Sequence, residues 1–325
     1  MFTHKPADSI RALGEVELIR KLRDWLGAAA PKSPEGMGDD CAVVDLPKDR
    51  QQILTTDSLT FGQHFDDRIC ARDAGAKLVK RNLSDIAAMG GRPGQALLTL
   101  LCGGDLEIEW LEDFIQGVRE TCLKYNLPIV GGDISALPDG QFSSVLSLTG
   151  YLEYAPLLRS GAEAGDILYV TGTLGGSMIH KHYSFEPRLA EGQWLAQADV
   201  CSSMIDVTDG LAKDLRELIP TACAAYLELD KFPLSPEAHQ TAAESGCSAL
   251  EHAFCDGEDY ELLFTVKSDT DLGAFERRWN QQFPNTRLTR IGTLDKSEGE
   301  APYLNAATKE ALPWVKGFEH LTSND

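Results

Sequence analysis

The chain lacks most of what marks a secreted, membrane-bound or nucleic-acid-binding protein. No apolar run in its 325 residues approaches the ~18 needed to span a bilayer. The stretch from Met1 to Ala12 has no apolar signal-peptide core, so a cytoplasmic protein with no membrane partner is expected. Basic residues are scarce: 30 Lys and Arg face 50 Asp and Glu, a net charge of −20. Nucleic-acid phosphates need a basic footprint, so nucleic acid is excluded as a partner. The eight cysteines include no C-x-x-C pair, which removes zinc-site spacing, and a chain of this length does not depend on disulfide staples. Buried free thiols are expected. The common nucleotide signatures are missing too: there is no G-x-x-x-x-G-K-[ST] loop, no G-x-G-x-x-G after a strand, and no H-R-D or D-F-G pair.

What is present points to two α/β domains. The length exceeds what one hydrophobic core usually organises. Leu18, Leu22 and Leu26 recur at helical spacing within Gly14 to Leu26. Ala71 to Met89 and Leu106 to Tyr125 read as long helices, the first stopped by Gly90-Gly91-Arg92-Pro93. Gln51 to Thr56, Ala96 to Cys102 and Ser143 to Leu152 read as strands, the second apolar enough for burial on both faces. Between Glu153 and Asp166 the chain turns small and polar, which suggests domains over 1–152 and 153–325. Strands at Ile167 to Val170, Ala224 to Leu229 and Tyr260 to Val266 then alternate with helices at Leu189 to Ala198, Leu211 to Ile219, Pro236 to Ser245 and Asp271 to Gln282.

Acids beside glycines and strand ends recur through both halves. They are Gly38-Asp39-Asp40, Thr55-Thr56-Asp57-Ser58, Asn82-Leu83-Ser84-Asp85, Gly131-Gly132-Asp133, Asp206-Val207-Thr208-Asp209-Gly210 and Asp256-Gly257-Glu258-Asp259. Aspartate is a short acceptor, glycine lets a ligand approach the backbone, and magnesium near nucleotides takes a few carboxylates plus phosphates. Taken singly, each group reads equally well as a helix cap, a turn or a wet helix face. Asp85 is followed by Ile86-Ala87-Ala88-Met89, so its carboxylate should have a partner. Gly172-Thr173-Leu174-Gly175-Gly176-Ser177 follows a strand and could hold phosphate on backbone N–H groups; a tight strand-to-helix turn is the equal alternative. His180 and His182 would share a face on a strand and could bind a metal. Without a third ligand, a solvated or hydrogen-bonded pair is the simpler reading.

These motifs, in order along nearly the whole chain, resemble the thiamine-monophosphate kinase family. Its superfamily includes aminoimidazole ribonucleotide synthetase, selenophosphate synthetase and a hydrogenase maturation factor. His64-Phe65, Arg159-Ser160-Gly161-Ala162, Pro187-Arg188 and Gly257-Glu258-Asp259-Tyr260-Glu261-Leu262 complete the match. The resemblance implies an N-terminal α/β domain whose strands pair across a homodimer, and a C-terminal α/β domain packed against it. It implies transfer of a phosphoryl group from ATP to thiamine monophosphate, with several Mg2+ ions on Asp39, Asp57, Asp85, Asp133, Asp206 and Asp209, assisted by Thr56. Gly132, Asp133, Arg159 and Thr208 would contact ATP. His64, Glu258 and a C-terminal aromatic, Trp314 or Phe318, would contact the acceptor, and Asp57, Asp85, Asp133 and Arg159 would carry the transfer. Thr208 stands where the family usually has serine, which keeps the hydroxyl. The segment Ser177 to Glu186 is shorter and more polar than the family's apolar helix. Two other readings are another ATP-dependent superfamily member with a different acceptor, and a non-catalytic nucleotide or metal sensor. A selenophosphate synthetase should carry a reactive Cys near a Lys before Asp39, and no Cys stands there.

Overall fold

A computed structural model describes residues 1–39, 42–45 and 47–318, the side chains of residues 34, 38 and 39 excepted. The chain divides into two compact units, one of Met1–Ile86 with Gly91–Glu153 and the other of Ala87–Gly90 with Tyr154 onward. The first holds α1 (Gly14–Leu26), β1 (Lys32–Asp39), β2 (Gln52–Thr60), most of α2 (Ala71–Ala88), β3 (Arg92–Gly103), α3 (Ile108–Lys124), β4 (Ile129–Leu137) and β5 (Phe142–Tyr151). Its four-stranded sheet runs β2-β5-β3-β4. The β2/β5 and β5/β3 pairs are antiparallel and the β3/β4 pair is parallel, with α3 as the crossover.

Both long helices cover one face of this sheet. Leu98, Leu100 and Cys102 of β3 and Phe142, Leu146 and Leu148 of β5 are buried there. Trp110 and Phe114 of α3 pack edge-on against Phe142. The opposite face is open: Leu54 is 74% and Leu97 48% exposed. The apolar run Ala96 to Cys102 is therefore buried on one face only within a single chain, against the expectation of burial on both.

The second unit holds β6 (Ile167–Thr171), α4 (Lys181–Ser184), α5 (Leu189–Ala198), β7 (Cys201–Asp206), α6 (Leu211–Asp214), β8 (Cys223–Leu227), α7 (Pro236–Ser245), α8 (Ala249–Cys255), β9 (Leu262–Val266), α9 (Leu272–Gln282), β10 (Leu288–Lys296) and β11 (Tyr303–Asn305). Its six-stranded sheet runs β11-β8-β10-β6-β9-β7. Leu168, Val170 and Leu263 join a core with Leu211, Leu215 and Phe254. The alternate positions Tyr169 and Phe264 stack with Phe275 and Trp279 on the other side, as period-two alternation requires. The strand expected from Tyr260 begins at Leu262, and the helix expected over Leu211 to Ile219 tightens into a 3-10 turn after Asp214. Among the described cysteines all are free. Cys102, Cys122 and Cys201 are buried as expected, but Cys70 and Cys247 are exposed. No described helix is long and apolar enough to cross a membrane.

Glycines set the contact between the two long helices of the first unit. A Cβ on Gly75 of α2 would lie 2.0 Å from the carbonyl oxygen of Phe114, and one on Gly117 of α3 would lie 1.9 Å from that of Arg72. The helices thus cross backbone to backbone. Gly117→Ala should cost on the order of 1–3 kcal/mol by forcing them apart. Thermal unfolding would register this as an earlier melt; an unchanged melt would contradict the contact.

Candidate active site

In the first unit β2 and α2 bring two acids to the helix-covered face. Alternation along β2 points Thr55 and Asp57 toward α2 and Thr56 away from it. The Thr55 hydroxyl donates to the Asp85 carboxylate, the partner that this acid needs beside apolar neighbours. Arg81, one turn earlier on α2, donates to the Ser58 carbonyl at 2.7 Å and sets its guanidinium 3.5 Å from the Asp57 carboxylate. Thr56 lies on the open face, its hydroxyl 3.0 Å from that of Ser147. Asp133 pairs with Thr99 across β4 and β3, is exposed, and accepts from Ser135 at 3.1 Å. Before it, a Cβ on Gly132 would lie 1.8 Å from the Leu98 carbonyl oxygen, so only glycine fits. His64 follows β2, its Nδ1 accepting from the Thr60 N–H at 3.0 Å while its carbonyl accepts from the buried Lys77 at 2.8 Å. The Asp39 side chain and Asp40 lie outside the described residues.

The second unit gathers three more acids where β7 enters α6. Asp206 ends β7 and is buried. Asp214, from the end of α6, accepts the N–H groups of Thr208 at 2.8 Å and Asp209 at 3.0 Å, which fixes the loop. Burial, then the charges of Asp206 and Asp209, push Asp214 up to about 8. Lys213 donates to the Asp209 carboxylate at 2.6 Å and to the Phe318 carbonyl at 3.1 Å. Phe318, 46% exposed, donates its own N–H to the Asp209 carbonyl at 2.8 Å. Trp314 packs tilted on Phe254 of the core, ring centroids 5.1 Å apart. Arg159 is exposed in the loop before β6. Among the described residues no three His, Cys, Asp or Glu side chains stand together as a ready metal site.

Thr208 also anchors the next loop. Its carbonyl accepts from the Glu258 N–H at 2.7 Å, and that of Val207 from the Tyr260 N–H at 2.8 Å. To make both bonds, Gly257, Glu258 and Tyr260 adopt positive φ of 74°, 53° and 51°, a conformation costly for residues with a Cβ. Beneath the loop lies Glu261, 1% exposed. Arg188 grips both its oxygens at 2.7 and 2.8 Å, Lys181 donates at 2.8 Å, and the Thr171 hydroxyl at 2.7 Å. Burial alone would raise Glu261, but Lys181 and Arg188 outweigh it and hold it down to about 2. Asp259, fully buried, accepts from the Gly175 N–H at 3.1 Å, and burial, against the pull of Lys181, pushes it up to about 7.

This network decides the glycine loop Gly172 to Ser177. Its N–H groups are engaged by protein acceptors: Gly172 with Arg287, Leu174 with Pro233, Gly175 with Asp259 and Gly176 with Asp256. The loop is therefore a tight turn rather than a phosphate cradle. The two histidines do not share a strand either. His180 is exposed with Nδ1 2.7 Å from the Tyr183 hydroxyl, and His182 is buried on α4 with Nδ1 3.2 Å from the Glu258 carboxylate.

The two buried acids act oppositely on stability. Glu261 contributes above its ordinary 4.5 and loses that contribution as pH falls toward 2. Asp259, raised from 3.8, keeps a proton that the unfolded chain has released, so it costs stability as pH rises from about 4 to 7. Asp259→Asn should remove that second slope. Its melting temperature relative to the parent should climb between pH 5 and pH 8; parallel curves would contradict the assignment.

Comparison with known proteins places the chain in a family. Residues 38–152 match the family model of the AIR synthase related protein, N-terminal domain. A thiamine-monophosphate kinase of Rhodopirellula baltica is 41% identical over 89% of this chain and 92% of its own. That of Salmonella typhimurium is 31% identical over 96% of this chain and 99% of its own. The solved structure of AaThiL complexed with AMPPCP and TMP superposes with a TM-score of 0.70 at 29% identity, covering 98% of this chain and 100% of that one. With the ordered acids, the Gly257 to Leu262 loop and matches across almost the full length, the chain belongs to the thiamine-monophosphate kinase family.

Proposed function

We propose that this chain transfers the γ-phosphoryl group of ATP to the phosphate of thiamine monophosphate, giving thiamine diphosphate, with magnesium on its acids. The 41% identity to a thiamine-monophosphate kinase over 89% of the chain carries the reading. The solved relative complexed with AMPPCP and TMP supports both substrates.

The acids present fit a hard cation. Burial first, and then the charges of Asp206 and Asp209, push Asp214 up to about 8. Three carboxyl groups gather where β7 enters α6, and a cation there would offset their charge. Magnesium needs only a few carboxylates, because water and phosphate oxygens complete its shell. Asp57 and Asp85, together at the β2 edge, would hold one ion in the first unit. Asp133 stands at the opposite β4 edge and would hold another, Asp39 completing the proposed set. Asp206 and Asp209 would serve in the second unit, while Thr56, on the open face, points away from Asp57 and Asp85. Bound magnesium neutralises charge on the phosphates.

The chain's own residues do the rest. Arg81 and Thr55 orient Asp57 and Asp85. Gly132 admits the nucleotide close to the backbone, while Arg159 and the Thr208 hydroxyl bind its phosphates. The acceptor oxygen is already ionised at neutral pH, so no general base is required and the difficulty is repulsion between two polyanions. His64 and Glu258 would hold the acceptor, with exposed Phe318 a candidate face for its cationic ring; Trp314 serves mainly the core. A homodimer in the cytoplasm is part of the proposal, supported by the apolar open face at Leu54 and Leu97.

Asp57→Asn, Asp85→Asn and Asp133→Asn should each cut thiamine-monophosphate-dependent ADP release by roughly 100-fold or more, since metal clamps supply several kcal/mol. Each variant should melt within a few degrees of the parent. Parental turnover in any two of the three at saturating magnesium would contradict the metal assignment.

A further inference from the structure

The segment Ser177 to Glu186, more polar than its family counterpart, packs against Glu258 and the loop that carries it. The Glu258 side chain is 18% exposed, and both of its oxygens are already engaged. Oε2 stands 3.2 Å from Nδ1 of His182, whose side chain is 6% exposed, and Oε1 accepts from the Tyr260 hydroxyl at 3.3 Å. Phe185 lies flat on the Tyr260 ring, centroids 3.8 Å apart and planes within 11°. One short stretch of chain therefore supplies a direct ion-pair contact to Glu258 and the backing for the Tyr260 ring whose hydroxyl donates to it. Lys181, immediately before His182, ties the same stretch to Glu261 and the Thr173 carbonyl.

The backbone makes such support necessary. Glu258 sits at φ 53° between Gly257 at 74° and Asp259, so the side chain leaves the loop from a conformation that few residues hold. Without partners, its carboxylate would sweep several rotamers. The His182 contact and the Tyr260 hydroxyl bond together confine the carboxylate to a narrow range of directions.

We propose that His182 is the positioning residue for Glu258, and that the segment Ser177 to Glu186 thereby sets affinity for the acceptor and not for ATP. This rests on the reading of Glu258 as an acceptor contact.

The test uses the intact protein with thiamine monophosphate and ATP as separate variable substrates, and calorimetric binding of thiamine monophosphate alone. A hydrogen bond to a charged group corresponds to about a 10- to 100-fold loss of affinity when removed. His182→Leu should raise KM and Kd for thiamine monophosphate by about that much, with KM for ATP within about twofold. His182→Asn, whose amide nitrogen falls near the Nδ1 position, should restore most of the affinity, whereas His182→Gln should not. Glu258→Gln should weaken the acceptor similarly, and the double variant His182→Leu with Glu258→Gln should be little worse than either alone. If His182→Leu does not fold, the contrast between His182→Asn and His182→Gln decides the matter. Equal loss for both substrates, equal behaviour of the Asn and Gln variants, or an additive double variant would overturn the proposal. Acceptor weakening by Glu258→Gln with no effect at His182 would overturn the positioning role alone. No effect from Glu258→Gln would overturn the acceptor reading and the positioning role with it.

Discussion

Glu261 is the constraint on which the second unit turns. A carboxylate this deeply buried is tolerable only while Arg188 and Lys181 both hold it, since removing one partner of a buried pair strands the other charge. Those partners come from the chain after the glycine turn and from the entry to α5, while Glu261 itself stands just before β9. Satisfying one carboxylate thus ties the turn Gly172 to Ser177, the segment to Arg188 and the loop Asp256 to Tyr260 into one body. The positive φ angles at Gly257, Glu258 and Tyr260 follow, because the loop must also reach the Thr208 and Val207 carbonyls.

The two units handle negative charge differently. In the first, a hydroxyl and a guanidinium accompany Asp85 and Asp57. In the second, burial and then the charges of Asp206 and Asp209 push Asp214 up to about 8, and Lys213 is bonded to Asp209. A net charge of −20 is a handicap for an enzyme of phosphates only if its acids act without cations. Under the proposed function, magnesium as counter-charge would make the same acids the means of joining two polyanions.

Much of the architecture was legible because local signals were strong. Helical spacing of Leu18, Leu22 and Leu26 marks α1 over Gly14–Leu26, and Gly90 stops α2 within a residue of the expected place. β10 escaped notice because a bulge between Arg290 and Gly292 interrupts its alternation. The acids beside glycines were visible as motifs, yet their partners were not. Arg188 and Glu261 are 73 residues apart, and no local pattern announces such a pair. Asp214 looked like an ordinary helix residue, although it caps the loop before its own helix. The resemblance pointed to Thr56 where the structure turns Thr55 toward Asp85. Strand alternation separates such neighbours, and register becomes visible only once the sheet is paired.

The central claim is that the chain carries out phosphoryl transfer from ATP onto an existing phosphate. Phosphorus NMR of the pure protein with ATP, magnesium and thiamine monophosphate tests it directly. The account predicts that the monoester resonance is replaced, mole for mole with ADP formed, by the paired signals of a diphosphate ester, and that omitting magnesium abolishes the change. ATP consumed with inorganic phosphate as the only product, or an unaltered monoester signal after all ATP is spent, would contradict it.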